Sequence, residues 1–544
     1  MKNIKISQIL LLLVGVMMVF SCSDNEDVYP ETRLFRPVLN SNLIAQNNEI
    51  QVDMAKMKEA VSYDVELSRD NFTTVIFKFN TTLNKFHITN LLWNTEYQVR
   101  VTAIAATPEF NSKVSDLGSV TTERFPSIMK IPTASDVIDV AAKVGWLTGV
   151  GTGAAITQVK VFAIADEALK TPLFTYAVTS AEQVAGEKIV NGLTPATQYQ
   201  LAIYSGDEVR GWEKYTTKDG IVVDANTIDL RNIVNNPDIL VQTMKTAASG
   251  STILLNGDYV YNANDGASTY KFDKSFTIKS GYSFNPAGAT INCSIKEFDI
   301  APGANIASIV FDGVTIYGIA GSAGNYVFGI NPSATIGELK FLNCKINKFR
   351  GVVRTKAGTG VLDKFTIDNC IINDINSYGI LNIDVATWSF NDAVIKNSTI
   401  YQALSFLVSK SNSKSVLIEN CTLCEVPAKA RIMFSWSTAG QDNILNGITI
   451  KNTIVGRGWD TTGGTDYAII GIKGLGATNF ITTNSYATAD FKYTLVGLPI
   501  PTFPSFTYSK TISDLWIDPT KGNFNFKDPG FAGIKDSGDP RWRK

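Results

Sequence analysis

Between residues 310 and 458 one short phrase recurs six times, and it limits the fold more than any other feature of the chain. It reads Val310-Phe311-Asp312-Gly313-Val314-Thr315-Ile316, Phe341-Leu342-Asn343-Cys344-Lys345-Ile346, Ile367-Asp368-Asn369-Cys370-Ile371-Ile372, Ile395-Lys396-Asn397-Ser398-Thr399-Ile400, Ile418-Glu419-Asn420-Cys421-Thr422-Leu423 and Ile450-Lys451-Asn452-Thr453-Ile454-Val455. Aligned at residues 312, 343, 369, 397, 420 and 452, the copies are 31, 26, 28, 23 and 32 residues apart. Loose periods of that size suit the coils of a solenoid, each with one variable loop. The asparagine has a physical reason to recur. A tight turn between two sheets tolerates the left-handed conformation at Asn, and stacked amides can bond to one another along the solenoid. The next position, Cys344, Cys370, Ser398, Cys421 and Thr453, is small and is expected to point inward.

That column accounts for most of the cysteines. Cys344, Cys370 and Cys421 share it, and Cys293 follows an asparagine in a similar context, so these thiols are expected to pack as small hydrophobes. Cys421-Thr422-Leu423-Cys424 is formally C-x-x-C, but no βαβ pattern, second pair or histidine accompanies it, and it reads as structural. Six cysteines in 544 residues are far below the density of a disulfide scaffold. The single histidine, His87, leaves no second imidazole for a multi-His zinc site; lying in Phe86-His87-Ile88, it reads as a strand residue without chemistry. Lys plus Arg number 49 and Asp plus Glu 50, a net charge of −1 that gives no support for nucleic-acid binding by bulk phosphate attraction.

At the N-terminus, Lys2 and Lys5 precede an apolar run from Ile9 to Phe20, the length of a signal-peptide core and short for a spanning helix. The run ends Val19-Phe20-Ser21-Cys22, which resembles a bacterial lipobox. Ser23-Asp24-Asn25-Glu26-Asp27 resembles the acidic export tag of Bacteroidetes-type lipoproteins. The resemblance implies a signal peptide over 1–21, lipidation of Cys22, an acidic tether over 22–30, and a surface-exposed place on the cell outer membrane.

From residue 31 to 218 short runs alternate apolar and polar residues, as in Val75-Ile76-Phe77-Lys78-Phe79, the mark of half-buried strands. Leu91-Leu92-Trp93-Asn94-Thr95-Glu96-Tyr97-Gln98-Val99-Arg100-Val101 resembles the fibronectin type III signature with its tyrosine corner, and Gly192-Leu193-Thr194-Pro195-Ala196-Thr197-Gln198-Tyr199-Gln200-Leu201-Ala202-Ile203 repeats it. Two such modules, 31–125 and 126–218, read as spacers. Trp212 is an aromatic that could meet glycan, but more simply makes a boundary contact.

Past residue 219, Asn236-Pro237-Asp238 opens a helix with Pro at its first position, and Gly250-Ser251-Thr252-Ile253-Leu254-Leu255-Asn256-Gly257-Asp258-Tyr259 opens a strand. This order resembles the start of pectate-lyase-like right-handed parallel β-helices, whose helix covers the open end of the solenoid. The expected fold class is all-β: two immunoglobulin-like sandwiches, then a parallel β-helix over 219–500 with an N-terminal capping helix. The C-terminal cap spans 501–544, with tail aromatics covering the last coil.

The strands after each phrase align as Val353-Arg354-Thr355-Lys356, Leu381-Asn382-Ile383-Asp384, Leu407-Val408-Ser409-Lys410, Met433-Phe434-Ser435-Trp436 and Ile470-Gly471-Ile472-Lys473. Alternation then turns Val353, Leu381, Leu407, Met433 and Ile470 inward and the column Lys356, Asp384, Lys410, Trp436, Lys473 outward, about 4.8 Å apart. Such a line fits an extended acidic polymer: lysines attract carboxylates, Arg354 holds one bidentately, and Trp436 offers a face to a sugar ring. The competing expectation is a solvated face with Lys356, Asp384 and Lys410 paired among themselves. A one-residue slip would exchange inside and outside.

The leading reading is a surface lipoprotein that binds an acidic, pectin-like polysaccharide for glycan utilisation, needing no cofactor. The resemblance to pectate lyases implies an alternative, a Ca²⁺-dependent lyase with Lys356 or Lys410 as base and Arg354 as clamp; Asp374 and Asp384 are its only metal candidates. A third reading is a structural or adhesive surface protein.

Overall fold

The computed structural model describes residues 32–149, 153–233 and 235–544, so the signal segment, the tether and Cys22 lie outside the described residues. The chain divides into two compact units: residues up to 132 with 144–188 and 198–215, and residues 133–143, 189–197 and 216–544.

In the first unit, Glu49–Asp53 pairs with Ile44–Gln46 and Lys85–Ile88 in one sheet. The facing sheet orders Phe77–Thr81, Ser62–Ser68, Glu96–Ile104 and Ser115–Thr121. The alternation is realised in Glu96–Ile104, which buries Tyr97, Val99, Val101 and Ala103 and turns the residues between them outward. The corner predicted at Tyr97 is present, its hydroxyl accepting the backbone N–H of Leu92 at 2.9 Å. His87 lies exposed on its strand, 3.0 Å from the Glu49 carboxylate. The second module carries a four-stranded sheet, Phe174–Ala177, Gln158–Ala163, Gln198–Ser205 and Glu208–Thr216. Trp212 packs at 4.9 Å on Phe125, which in turn meets Trp93 at 5.2 Å, so this tryptophan makes the boundary contact.

The second unit is a parallel β-helix with three faces. Face A stacks ten strands from Thr227–Asp229 to Phe480–Thr483. Face B runs from Val260–Asn262 to Phe506–Tyr508. Face C comprises Tyr326–Ile330, the later halves of Lys345–Thr355 and Ile371–Ile383, then Leu407–Ser409, Ile432–Trp436 and Ile470–Lys473. The strands bond coil to coil in parallel, and one continuous apolar core fills the interior.

The turn from face A to face B is built as its sequence suggests. Gly288, Gly313, Asn343, Asn369, Asn397, Asn420, Asn452 and Asn484 occupy it with φ between 44° and 70°. The αL backbone favours Gly and Asn. Asn369 donates its amide to Asn343 at 2.7 Å, Asn420 to Asn397 at 3.0 Å, Asn452 to Asn420 and Asn484 to Asn452 at 3.1 Å. Asp312 is not a member of this column: Asp312 pairs with Leu342, Gly313 takes the turn, and Asn343 donates to the Asp312 carboxylate at 2.7 Å.

The small residues after the asparagines form a second ladder inside the first. The backbone N–H of Cys370 donates to Ser398 Oγ at 2.9 Å, that of Cys421 to Thr453 Oγ1 at 3.3 Å, and that of Thr453 to Ser485 Oγ at 3.1 Å. Cys344, Cys370 and Cys421 are buried and free, as their column implied. Cys293 is also buried and free but belongs elsewhere, because Thr290, Thr315 and Lys345 share a register and put Ala289 and Val314 in the Cys344 column. Cys421 and Cys424 are not bonded to each other; the first packs in the solenoid interior and the second in the cluster outside face B. Burial pushes both thiols upward, which makes them inert.

Helix Ile239–Thr246 closes the first coil with Leu240, Val241 and Met244, and its N-cap is Asp238, one residue beyond the proline expected to open it. At the other end Phe491, Tyr493, Ile500 and Phe503 pack on the last coil. The tail aromatics do something different from what was expected. Tyr508, Leu515, Trp516, Phe524, Phe526 and Phe531 double back along the outside of face B, against Cys424, Ile454 and Tyr486. The last residues then clip onto the asparagine ladder. Arg541 donates to Asn369 Oδ1 at 2.6 Å, Arg543 to Asn420 Oδ1 at 2.8 Å, and Asp539 accepts the Thr399 hydroxyl at 2.7 Å.

Burial raises the Asp539 carboxyl above the ordinary aspartate range, although Arg541 at 3.0 Å and the Thr399 hydroxyl pull the other way. A raised folded value means that the folded state holds the proton more tightly. Its contribution to stability is therefore complete below the unfolded value of about 3.9 and is lost as pH rises through the folded value. The stability of the wild type relative to Asp539→Asn is expected to fall as pH rises through that window in urea titrations. A gap independent of pH would refute this.

Candidate functional site

Of the three faces, face A neutralises itself. Its outward column pairs Lys279 with Asp312 at 3.5 Å, Lys396 with Asp368 at 3.2 Å and Lys451 with Glu419 at 2.9 Å. Exposed pairs of this kind contribute about 0–1 kcal/mol each. Face B is covered by the tail over several coils. Face C is where most of the predicted column falls, and there the chemistry is concentrated.

Arg354 is the centre of the cluster. Its Nε and Nη2 donate to Asp384 Oδ2 at 3.0 and 2.6 Å, and its Nη1 donates to the Tyr326 hydroxyl at 2.7 Å. Burial opposes its charge, but the bonds to Asp384 and Tyr326 prevail and hold the guanidinium above its ordinary value. Burial likewise raises the Tyr326 phenol. The guanidinium lies 3.7 Å from the centre of the Tyr378 ring, and Arg350 approaches the same ring at 4.9 Å. The Tyr326 and Tyr378 rings meet edge to face at 5.5 Å, and Lys356 Nζ is 4.8 Å from the Tyr326 ring. Lys356 is ion-paired with Glu297, and Lys410 with Asp384 at 3.2 Å. Asp384 thus holds two cations from neighbouring coils. The chain irregularity between Phe349 and Gly351 gives Tyr378 its place: a Cβ at Gly351 would lie 2.7 Å from the Tyr378 Cβ.

The predicted column is confirmed in part and corrected in part. Lys356, Asp384 and Lys410 each directly follow the residues Thr355, Ile383 and Ser409 that stack in one register. Trp436 stacks in register with Ser409, not with Lys410, so it points inward; it is 0% exposed and packs on Phe390 with ring centres 5.9 Å apart. It offers no platform to a sugar. Lys473 pairs with Ser435 and therefore continues the column of Arg354 and Asn382, where it is exposed. Likewise Phe434 and Ile472, in place of Met433 and Ile470, extend the inward column of Val353, Leu381 and Leu407. Asp374 sits at the corner between faces B and C with φ 54°, ten residues before Asp384, at the far edge of face C. The two carboxylates do not share a site, and among the described residues no three His, Cys, Asp or Glu side chains gather as a metal set. Sequence reasoning missed Tyr326, Tyr378, Arg350 and Glu297. Arg350 and Tyr378 lie three residues before the aligned strands at Val353 and Leu381, whereas Tyr326 and Glu297 belong to earlier coils, outside the recurring phrase.

Residues 257–403 match a family described as Domain of unknown function (DUF4957), and residues 416–542 match one described as Domain of unknown function (DUF5123). No curated protein matches the chain. A crystal structure of the chicken CNTN1 FN1–FN3 domains is similar at 13% identity, over 35% of this chain and 68% of that one, with a TM-score of 0.15. The two family stretches are halves of one solenoid. Strand Trp388–Lys396 bonds to Ser415–Glu419 and Thr399–Ala403 to Thr422–Cys424, across the junction. Arg541 from the second stretch grips Asn369 in the first.

Two outcomes follow. Trp436→Ala is expected to cost about 3–5 kcal/mol in urea unfolding, as for other buried Trp deletions; a cost under about 1 kcal/mol would contradict its place in the core. Asp384→Ala, which strands the half-buried Arg354, is expected to cost about 1–3 kcal/mol. Lys410→Ala, whose side chain is 43% exposed, is expected to cost less than about 1 kcal/mol. Equal costs for the two would show that Arg354 does not depend on Asp384.

Proposed function

We propose that this chain is a cell-surface lipoprotein that holds an acidic, pectin-like polysaccharide along face C. The two sandwich modules would serve as spacers from an outer membrane reached through Cys22. The observation that carries this reading is the pair of guanidinium groups, Arg350 and Arg354, that share the half-buried ring of Tyr378. Lys356 and Lys410 flank the pair. Four cations stand there against two carboxylates, Glu297 and Asp384. A uronate polymer supplies what such a surface accepts: carboxylates for bidentate guanidinium bonds and sugar faces for the tyrosine. Lys356, Lys410 and Lys473 lie on three different coils of the same face, whose strands are about 4.8 Å apart, which favours a chain over a compact metabolite.

The lyase alternative needs a free base and converging carboxylates. Here Lys356 and Lys410 each hold a carboxylate, and Asp374 and Asp384 stand apart. The geometry favours holding the polymer over cutting it.

The test is affinity electrophoresis of the mature chain in gels containing polygalacturonate. Retardation is expected, several-fold weaker for Arg350→Ala with Tyr378→Ala, at an unchanged melting temperature. Unaltered retardation of the double variant would remove face C, and no retardation of the wild type would remove the acidic polymer. Growth of ultraviolet absorbance from an unsaturated product, abolished by chelator, would decide for the lyase.

A further inference from the structure

We propose that the end of the first sandwich module nearest Cys22 rests on an anionic lipid surface. The inference builds on the lipoprotein reading and adds a second contact with the membrane. Four connections meet at this end. The backbone N–H of Leu34 donates to Phe110 O at 2.8 Å, that of Ala55 to Val38 O at 2.9 Å, that of Met54 to Asn84 O at 2.9 Å, and Ser115 Oγ donates to Pro37 O at 2.6 Å. The opening segment, the loop 55–61, the loop 82–84 and the loop 105–114 therefore form one surface.

That surface is apolar and basic together. Phe35 is 86% exposed, Val38 64%, Leu83 61%, Val61 51% and Val114 45%. Interleaved with them are the exposed cations Arg33, Arg36, Lys56, Lys58 and Lys113, none of which makes an ion pair among the described residues. Only Glu59 and Glu109 oppose them in these segments, two acids against five cations. Exposed aromatic and aliphatic side chains among uncompensated cations are what a headgroup layer accepts: the apolar groups enter the boundary of the acyl region and the cations meet lipid phosphates. A module that served only as a spacer would gain nothing from this arrangement, and large exposed apolar groups invite association elsewhere.

The position of the surface selects its occupant. Ten residues lie between Cys22 and Arg33, and the stretch spans at most about 40 Å even when fully extended. A lipid on Cys22 keeps Arg33, where this end begins, within that distance of the bilayer. A single acyl anchor binds reversibly, and a basic apolar patch is the second signal that makes attachment stable.

The test uses the full mature chain with Cys22→Ala, so that no lipid assists, floated with vesicles of phosphatidylglycerol or of phosphatidylcholine. Binding to the anionic vesicles is expected to exceed that to the neutral ones at least fivefold and to weaken with salt. Arg33→Glu with Arg36→Glu, which changes exposed charges that the fold does not use, is expected to lower it at least tenfold. Phe35→Asp with Val38→Asp should do the same at an unchanged melting temperature. Equal flotation with both vesicles, no flotation, or flotation indifferent to both double variants would overturn the proposal. Palmitate labelling of the wild type, compared with Cys22→Ala, reports on the anchor separately, so a chain without lipid and a surface without affinity for lipid give different results.

Discussion

The structure depends on the bonding of each coil to the next. A parallel strand leaves N–H and C=O groups on both sides, and in a solenoid each coil satisfies those of its neighbours, so that unpaired edges remain only at the two ends. This constraint explains why the turn between faces A and B is so uniform. A residue there must adopt αL without strain, must not intrude on the coils above and below, and must satisfy its own polar side chain. Asn meets all three conditions, because its amide both donates to one coil and accepts from the other. Inside that row the cysteine, serine and threonine side chains accept backbone N–H groups that the tight turn removes from the strand ladder. Two parallel files of hydrogen bonds, one of amides and one of small side chains, thus run along the same corner.

The uniformity of that corner, and the lack of it elsewhere, decides what could be read from sequence. From the inward residue of face A to that of face B, from Phe341 to Ile346, Ile367 to Ile372, Ile395 to Ile400 and Ile418 to Leu423, is always 5 residues. The phrase spans this invariant stretch, so its asparagines, its inward small residues and its strands were legible. From face B to face C the chain is free to vary: Asn347 to Val353, Asn373 to Leu381, Tyr401 to Leu407 and Cys424 to Phe434 are 6, 8, 6 and 10 residues. An alignment carried across that variable corner kept register for three coils and slipped at the fourth, which turned Trp436 outward on paper and inward in the protein. The period of two makes such a slip total, since every side chain then changes face. Of the pairing expected among Lys356, Asp384 and Lys410, the Lys410–Asp384 pair forms, on coils before the slip, while Lys356 turns to Glu297 and Arg354 takes its place on Asp384. Tyr378 was invisible for a different reason: it is placed by a chain irregularity that no alternation pattern foretells.

The chain closes the ends of the solenoid in two ways. A helix laid over the first coil and an aromatic loop over the last each exclude water from apolar side chains that have no further coil to meet. The tail is a third device with another purpose. By bonding to Asn369, Thr399 and Asn420 it ties together three successive coils, and it joins the stretches matched by two separate family descriptions. In a repeat structure whose coils otherwise touch only their neighbours, such a strap couples their unfolding, so that separate fraying of the second half is opposed.

The same economy bears on how face C can serve a polymer. Its cations are not idle charges: Arg354 and Lys410 hold Asp384, and Lys356 holds Glu297, so an incoming carboxylate must compete with a partner already in place. Arg350 differs, since its Nε is buried without a hydrogen-bond partner and its guanidinium rests on the Tyr378 ring. On the proposed reading, an acidic sugar would meet Arg350 and Tyr378 at the least cost in broken bonds. Each further uronate must share Arg354 or displace its carboxylate. On the proposed reading, affinity would grow by the number of units engaged in line and not by one deep pocket. This is the behaviour expected of a protein that retains a long chain without committing it to a single register.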